Sequence, residues 1–251
     1  MVRRPSFLTT KRPSNRKQGV PTMTTQNPQA ELRTRTVGDI AAKLPGATAV
    51  FRSFKIDFCC NGDLLLTDAA QKRGLNVEPI EQALAALDVD APGAAVEMDS
   101  ARLIDHIESR YHHPHRRALP ELIALSRKVE AVHRDHPKVP AGLAAVLQRM
   151  KEELESHMIE EEQHLFPAMR QQASQALDAP ILDLRHQHDD HGALLRQVET
   201  LTEEFSPPEG ACNSWRALYV GTAQLAEDLM QHIHLENNVL FPRFAATEHV
   251  A

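Results

Sequence analysis

The chain has 251 residues, enough for one large or two modest domains with a substantial core. Its 42% hydrophobic and 25% charged residues are those of a soluble globular protein, and a net charge of −6 gives no footing for a nucleic-acid binder. No apolar run reaches the length of a membrane span, and three cysteines (Cys59, Cys60, Cys212) are too few for a disulfide framework, which points to a reducing, cytoplasmic setting.

The opening stretch carries Arg3, Arg4, Lys11, Arg12, Arg16 and Lys17 with no acid. It looks superficially like an organellar transit peptide and lacks the apolar centre of a secretory signal. The simpler expectation is a disordered extension over residues 1–30, with Met23 as the true start. Residues 31–90 read as a small helical unit containing Cys59 and Cys60. Val37–Lys43 and Ala47–Phe54 are expected helices separated by Pro45-Gly46. Thr67 is expected to cap a helix ending near Gly74, and Asn76 another running through Leu87. Asp88–Glu97, with Ala91-Pro92-Gly93, reads as a linker. The segment 98–246 predicts four long helices near 100–135, 140–172, 178–204 and 212–245, broken at His136-Pro137, Ala179-Pro180 and Ser206-Pro207-Pro208. Abundant Ala, Leu, Glu and Arg, few β-branched runs and no hairpin signals favour an all-α chain.

Two stretches of the long segment repeat each other. HMIEEEQHLFP begins at His157 and HIHLENNVLFP begins at His232, 75 residues later. In the second long helix Leu143, Leu147, Met150, Leu154, His157, Glu161 and His164 step alternately by four and three. In the fourth, Leu218, Thr222, Leu225, Leu229, His232, Glu236 and Val239 form the same kind of stripe. Residues so spaced share one helix face, so His and Glu point where the leucines point, into the core. In the third helix Ile181, Leu184, His188, His191, Leu195 and Val198 do likewise, and in the first His112, His115, Leu119 and Leu122 form a comparable line. The segment is thus two similar helical hairpins. An unpaired buried carboxylate costs several kcal/mol. Two glutamates and at least four histidines in one core therefore need a shared partner, and a metal pair supplies it. Oxygen and nitrogen donors without thiolate favour iron or manganese over zinc. Facing helices of a bundle are an established place for such a site. Spacing alone leaves His112 and His115 as alternatives. His115, His133, His164 and His191 read as core or ligand-orienting residues, and His113, His186 and His234 as solvent-facing. Leu165-Phe166-Pro167 and Leu240-Phe241-Pro242 read as packing, with prolines that bend or loosen the helix.

The pattern resembles the hemerythrin-like domain and, more closely, the iron-sulfur cluster repair di-iron proteins. The residues that carry the likeness are Arg110-Tyr111-His112, Leu119-Pro120-Glu121-Leu122, Glu152 to His157 with Leu165-Phe166-Pro167, His188-Asp189, Leu235 to Pro242, and the leading Phe51-Arg52 and Asp57-Phe58-Cys59-Cys60. The resemblance spans about residues 34–246. It implies an antiparallel four-helix bundle behind a small helical domain, holding two iron ions that are carboxylate-bridged, and oxo-bridged when oxidised. It assigns His112, His157, His188 and His232 as imidazole ligands and Glu161 and Glu236 as bridges. This chain departs from the pattern at Pro114, Asn61 and His191. The implied partners are damaged iron-sulfur proteins and nitric oxide or oxygen, and the chain is a candidate homodimer. Nitric oxide reduction and stoichiometric iron donation stay open as mechanisms, and a hemerythrin-like oxygen or nitric oxide binder is the alternative. Glu153, one turn before His157, is a candidate relay, and Glu160 and Glu162 read chiefly as an acidic face. Cys59 and Cys60 read either as small core residues or as a redox-active or metal-delivering pair, with a strained vicinal disulfide as one form. Cys212, beside Trp215, reads as structural.

Overall fold

The structure, a computed structural model, describes residues 28–87, 97–171 and 177–244, with side chains from residue 31. The expectations for residues 1–27 and for the linker at 88–96 lie outside the described residues. Among the described residues the regular elements are all helical; an isolated bridge pairs Thr36 with Leu65.

Five short helices come first: α1 (Pro28–Arg33), α2 (Val37–Lys43), α3 (Ala47–Ser53), α4 (Leu66–Lys72) and α5 (Val77–Ala85). Thr36 caps α2 by accepting from the backbone N–H of Asp39 at 3.2 Å. Thr67 does not cap α4. The N-cap is Leu65, and Thr67 lies inside the helix because the bridge to Thr36 sets where the helix begins. These helices close over Phe51, Phe58, Leu66, Ile80 and Leu84, all fully buried.

The long segment then forms four rods. The first is α6 (Ser100–Ile107), a π-helical turn (Glu108–His112) and α7 (His113–Val132). The second is α8 (Leu143–Glu160), a π turn (Glu161–Leu165) and α9 (Phe166–Arg170). The third is α10 (Asp178–Leu201), without interruption, and the fourth is α11 (Asn213–His234), a π turn (Leu235–Leu240) and a 3₁₀ turn (Phe241–Arg243). Helix α7 packs on α8, α8 on α10, α10 on α11 and α11 on α7, which closes a four-membered ring.

Each π turn lies just before a proline, at Pro114, Pro167 and Pro242. Proline lacks an N–H and its ring crowds the carbonyl four residues back. A π turn widens the ladder by one residue there, so the helix runs on through the proline. Pro120, inside α7, is accommodated without one. The extra residue also rotates the remainder of the rod about its axis. His164 would continue the stripe of an unbroken α-helix, but it is exposed, and Leu165 takes the inward position.

The core divides into two apolar clusters. One contains Leu119, Leu147, Leu154, Leu195, Leu218 and Leu229 and continues into the N-terminal helices. The other contains Ile107, Leu165, Phe166, Leu184, Leu240 and Phe241. On α8 the sequence Leu154, His157, Glu161, Leu165 steps from the first cluster to the second through the polar pair, and Leu229, His232, Glu236, Leu240 does the same on the fourth rod. The polar layer is therefore sealed by hydrocarbon above and below.

Candidate metal centre

Six side chains meet in that layer, all at 1% exposure or less: His112, His157, Glu161, His188, His232 and Glu236. They form two groups, His112, Glu161, His232, Glu236 and His157, Glu161, His188, Glu236, with the donor atoms of each within 4.8 Å of one another. In the first pocket His112 Nε2 and His232 Nε2 lie 3.0 Å apart, and in the second His157 Nε2 and His188 Nε2 are also 3.0 Å apart. Each pocket takes one imidazole from each hairpin, so neither hairpin builds a pocket alone. Both glutamates belong to both pockets. Glu161 turns Oε2 toward His112 Nε2 at 3.5 Å and Oε1 toward His157 Nε2 at 3.4 Å. Glu236 turns Oε1 toward His232 Nε2 at 2.8 Å and Oε2 toward His188 Nε2 at 3.1 Å.

The outer nitrogens show how the rings are set. His112 Nδ1 donates to Glu162 Oε1 at 2.7 Å, and Arg116 pairs with the same carboxylate. His157 Nδ1 donates to Gln187 Oε1 at 2.8 Å, and His188 Nδ1 donates to Asn237 Oδ1 at 2.9 Å. A proton fixed on Nδ1 leaves the Nε2 lone pair facing inward, the tautomer a metal requires. His232 Nδ1 finds no hydrogen-bond partner among the described residues, and Tyr111 stacks on its ring at 5.5 Å.

Without a metal, protons take up part of the carboxylates' negative charge. Burial opposes a charge on His157, yet Glu161 and Glu236 overcome it and hold the imidazole at about 9. Burial opposes ionisation of Glu236, but His232, His112 and His188 hold its carboxyl well below the ordinary range. Both oxygens of Glu161, and Oε2 of Glu236, are buried without a hydrogen-bond donor. Native interiors seldom leave such atoms unsatisfied, and an ionised carboxylate least of all. Cations between the imidazole pairs would satisfy all of them, so the donor set fits two metal ions.

The remaining sequence candidates fall into place around this centre. His115 and His191 are buried beside it, their rings 5.4 Å from His232 and 4.9 Å from His157. Burial and the neighbouring imidazoles push His115 well down and His191 to about 2, so both stay neutral. His113 and His186 are exposed, but His234 is buried at 1%, contrary to its expected solvent-facing position. The N-terminal helices cover it: its ring meets Phe58 edge-on at 5.5 Å, and its Nδ1 accepts from Asn238 at 3.0 Å. Glu153 is not brought into either pocket and pairs with Arg149 at 2.6 Å. Glu160 and Glu162 instead reach inward to Gln187 and His112. Gln187 and Asn237, which hydrogen-bond the rings of His157 and His188, escaped the sequence reading, although each adjoins one of the six convergent residues in sequence. His133 is half-buried, and its Nε2 lies 3.1 Å from the thiol of Cys212, the exposed N-cap of α11.

Cys59 is buried and Cys60 half-buried, both as free thiols with sulfurs 3.7 Å apart. Their loop is tied to the π turn of the fourth rod. Asn237 Nδ2 donates to Cys59 O and Asn238 Nδ2 to Phe58 O, both at 3.0 Å. Gly192 lets the loop approach α10, since a Cβ there would stand 3.3 Å from Cys60 Sγ. A cleft of about 350 Å³ between the N-terminal helices and the bundle is lined by Lys43, Asp63, Arg185, Asn237 and Arg243 among others.

Known proteins match this sequence over most of its length. Residues 103–244 match the Hemerythrin HHE cation binding domain, and residues 33–88 match a domain of unknown function, DUF542. The iron-sulfur cluster repair protein YtfE of Musicola paradisiaca is 45% identical over 215 residues, covering 84% of this chain and 96% of the relative. The YtfE of Yersinia pseudotuberculosis is 44% identical, with 85% and 97% covered, and that of Citrobacter koseri is 45% identical, with 86% and 99% covered. The chain belongs to the hemerythrin-like iron-sulfur cluster repair protein family.

Proposed function

We propose that His112, His157, Glu161, His188, His232 and Glu236 hold two iron ions bridged by the two carboxylates, and that the protein repairs iron-sulfur clusters damaged by nitrosative or oxidative stress. The observation that carries the site is Glu161, buried with both oxygens unpartnered, one turned to each imidazole pair. The repair role is supported by relatives that bear that name across nearly their whole length.

Two routes suit these residues. In the first, iron is cargo. The Nδ1 bonds of His157 and His188 run to neutral amides, so one pocket has the weaker hold and gives up its ion to a damaged cluster. In the second, nitric oxide is removed: two molecules, two protons and two electrons give nitrous oxide and water. Two bound ferrous ions would supply the electrons. The chain's own part is to keep the Nε2 lone pairs inward through Glu162, Gln187 and Asn237, and to exclude bulk water with the two apolar clusters. The work divides between a helical unit at about residues 31–90, which carries Cys59 and Cys60, and the bundle at about 98–246. The setting is the cytoplasm, where iron-sulfur proteins are the clients; among the described residues no helix is long and apolar enough to cross a membrane.

Elemental analysis of protein purified without oxygen tests this reading, followed by nitric oxide titration and transfer of iron to a damaged cluster protein. The expected result is about two irons per chain, with either nitrous oxide release or iron transfer. Zinc alone, or no metal, overturns the centre. Reversible oxygen binding with neither activity assigns the chain to the oxygen-binding alternative.

A further inference from the structure

The loop between α3 and α4 gathers a second, chemically different set of donors. Asp57, Cys59 and Cys60 present a carboxylate oxygen and two sulfurs that all lie within 4.8 Å of one another. Cys59 Sγ stands 3.7 Å from Cys60 Sγ and 3.4 Å from Asp57 Oδ1. A tetrahedral ion with metal–sulfur bonds of about 2.3 Å and metal–oxygen bonds of about 2.0–2.2 Å needs sulfur–sulfur edges of about 3.8 Å and sulfur–oxygen edges of about 3.5 Å. We infer that Asp57, Cys59 and Cys60 form a mononuclear site for one thiophilic divalent cation, separate from the dinuclear centre.

The local structure suits that role. The carboxylate is held from outside: Asn61 Nδ2 donates to Asp57 Oδ2 at 2.6 Å, and Lys72 Nζ donates to Asn61 Oδ1 at 2.8 Å. Outer hydrogen bonds of this kind orient ligating carboxylates. The backbone N–H of Cys60 donates to Asp57 Oδ1 at 3.0 Å, which closes the loop and brings the two thiols beside the acid. Asp57 and Cys60 are half-buried, so an ion can enter, while buried Cys59 gives the loop a fixed floor. Three protein donors leave a tetrahedral position for water or for a ligand from another protein. Binding converts both thiols to thiolates and releases two protons. Thiolates select zinc, ferrous iron or cobalt and reject magnesium and calcium.

The loop also sits against the helix that carries His188. Cys60 Sγ lies 3.5 Å from the carbonyl of His188, and Cys59 O accepts from Asn237, which orients the same histidine. In a chain that donates iron, the loop holds a single ion outside the dinuclear pair. That use rests on the proposed function, whereas the existence of the site does not.

Cobalt titration of the reduced, metal-free full chain without oxygen tests the site. Thiolate-to-cobalt charge transfer absorbs in the near ultraviolet, and the nitrogen and oxygen ligands of the bundle contribute none. The expected band saturates at one ion per chain. It is lost in Cys59→Ser and in Cys60→Ser, and it survives in Cys212→Ser. Asp57→Asn, nearly isosteric, weakens cobalt binding at least about tenfold. The band persists when Glu161 and Glu236 are both replaced by Ala, so failure of the dinuclear reading leaves this result standing. No band at millimolar cobalt, a band that survives in Cys60→Ser, or saturation at one ion per two chains overturns the inference. Circular dichroism of each variant separates loss of ligand from loss of fold.

Discussion

The two pockets share both glutamates, take two imidazoles each, and differ in what stands behind the rings. Behind His112 is a carboxylate, Glu162, locked by Arg116, while His232 Nδ1 finds no hydrogen-bond partner among the described residues. Behind His157 and His188 are neutral amides, Gln187 and Asn237. A carboxylate behind an imidazole makes it a stronger base and ligand, and an amide does so less. The second pocket is also tied through Asn237 to the cysteine loop, whereas the first faces Tyr111 and the surface pair Glu162–Arg116. Identical ligands can therefore serve unlike ends, one pocket anchored and the other connected.

The comparison can be broken most decisively at the shared bridges. Glu161→Ala or Glu236→Ala removes an oxygen from both pockets, and iron should fall from about two per chain to nearly none with helicity preserved. One iron retained in either variant would show that the pockets are independent. The next largest effects should be one-sided. Asn237→Ala should weaken one of the two irons about 10- to 100-fold in chelator competition. Glu162→Gln should weaken the other about tenfold. Equal loss of both irons in either variant would erase the distinction.

A smaller effect concerns acid. Burial pushes His234 down to about 4. As pH falls below about 6.5 the unfolded chain takes up a proton there, and the folded chain does not until about 4. Stability of the metal-free protein should therefore fall across that window, by up to about 1.4 kcal/mol per pH unit from this group. His234→Gln should flatten the slope in urea unfolding measured at several pH values. An unchanged slope would remove His234 from the seam between the N-terminal helices and the bundle. The smallest effect should come from Glu153→Gln. Its pair with Arg149 is an exposed helix-surface contact that solvent screens, so iron content and stability should barely move.

The helices were legible because their signals are local. Alternating steps of four and three mark a stripe, and prolines such as Pro137 and Pro207-Pro208 mark the breaks between rods. The six convergent side chains stand on such stripes, and His112 could be preferred to His115 only through family resemblance. The same periodic logic failed at His164, because the π turn before Pro167 adds a residue that an ideal helix does not count. It failed at His234 because what buries that face is the N-terminal unit, more than 170 residues away in sequence at Phe58.

By itself, then, the sequence determined an all-helical chain, a duplicated His and Glu motif facing a core, and a donor set too costly to bury without metal. Only the tertiary structure decided that each pocket draws its imidazoles from both hairpins. It alone placed Glu162, Gln187 and Asn237 behind the imidazoles, and Cys60 against the helix of His188. The physical reason is range. Helical periodicity fixes which face a residue takes within a few turns, whereas ligand pairing and orientation depend on contacts between segments that only packing brings together.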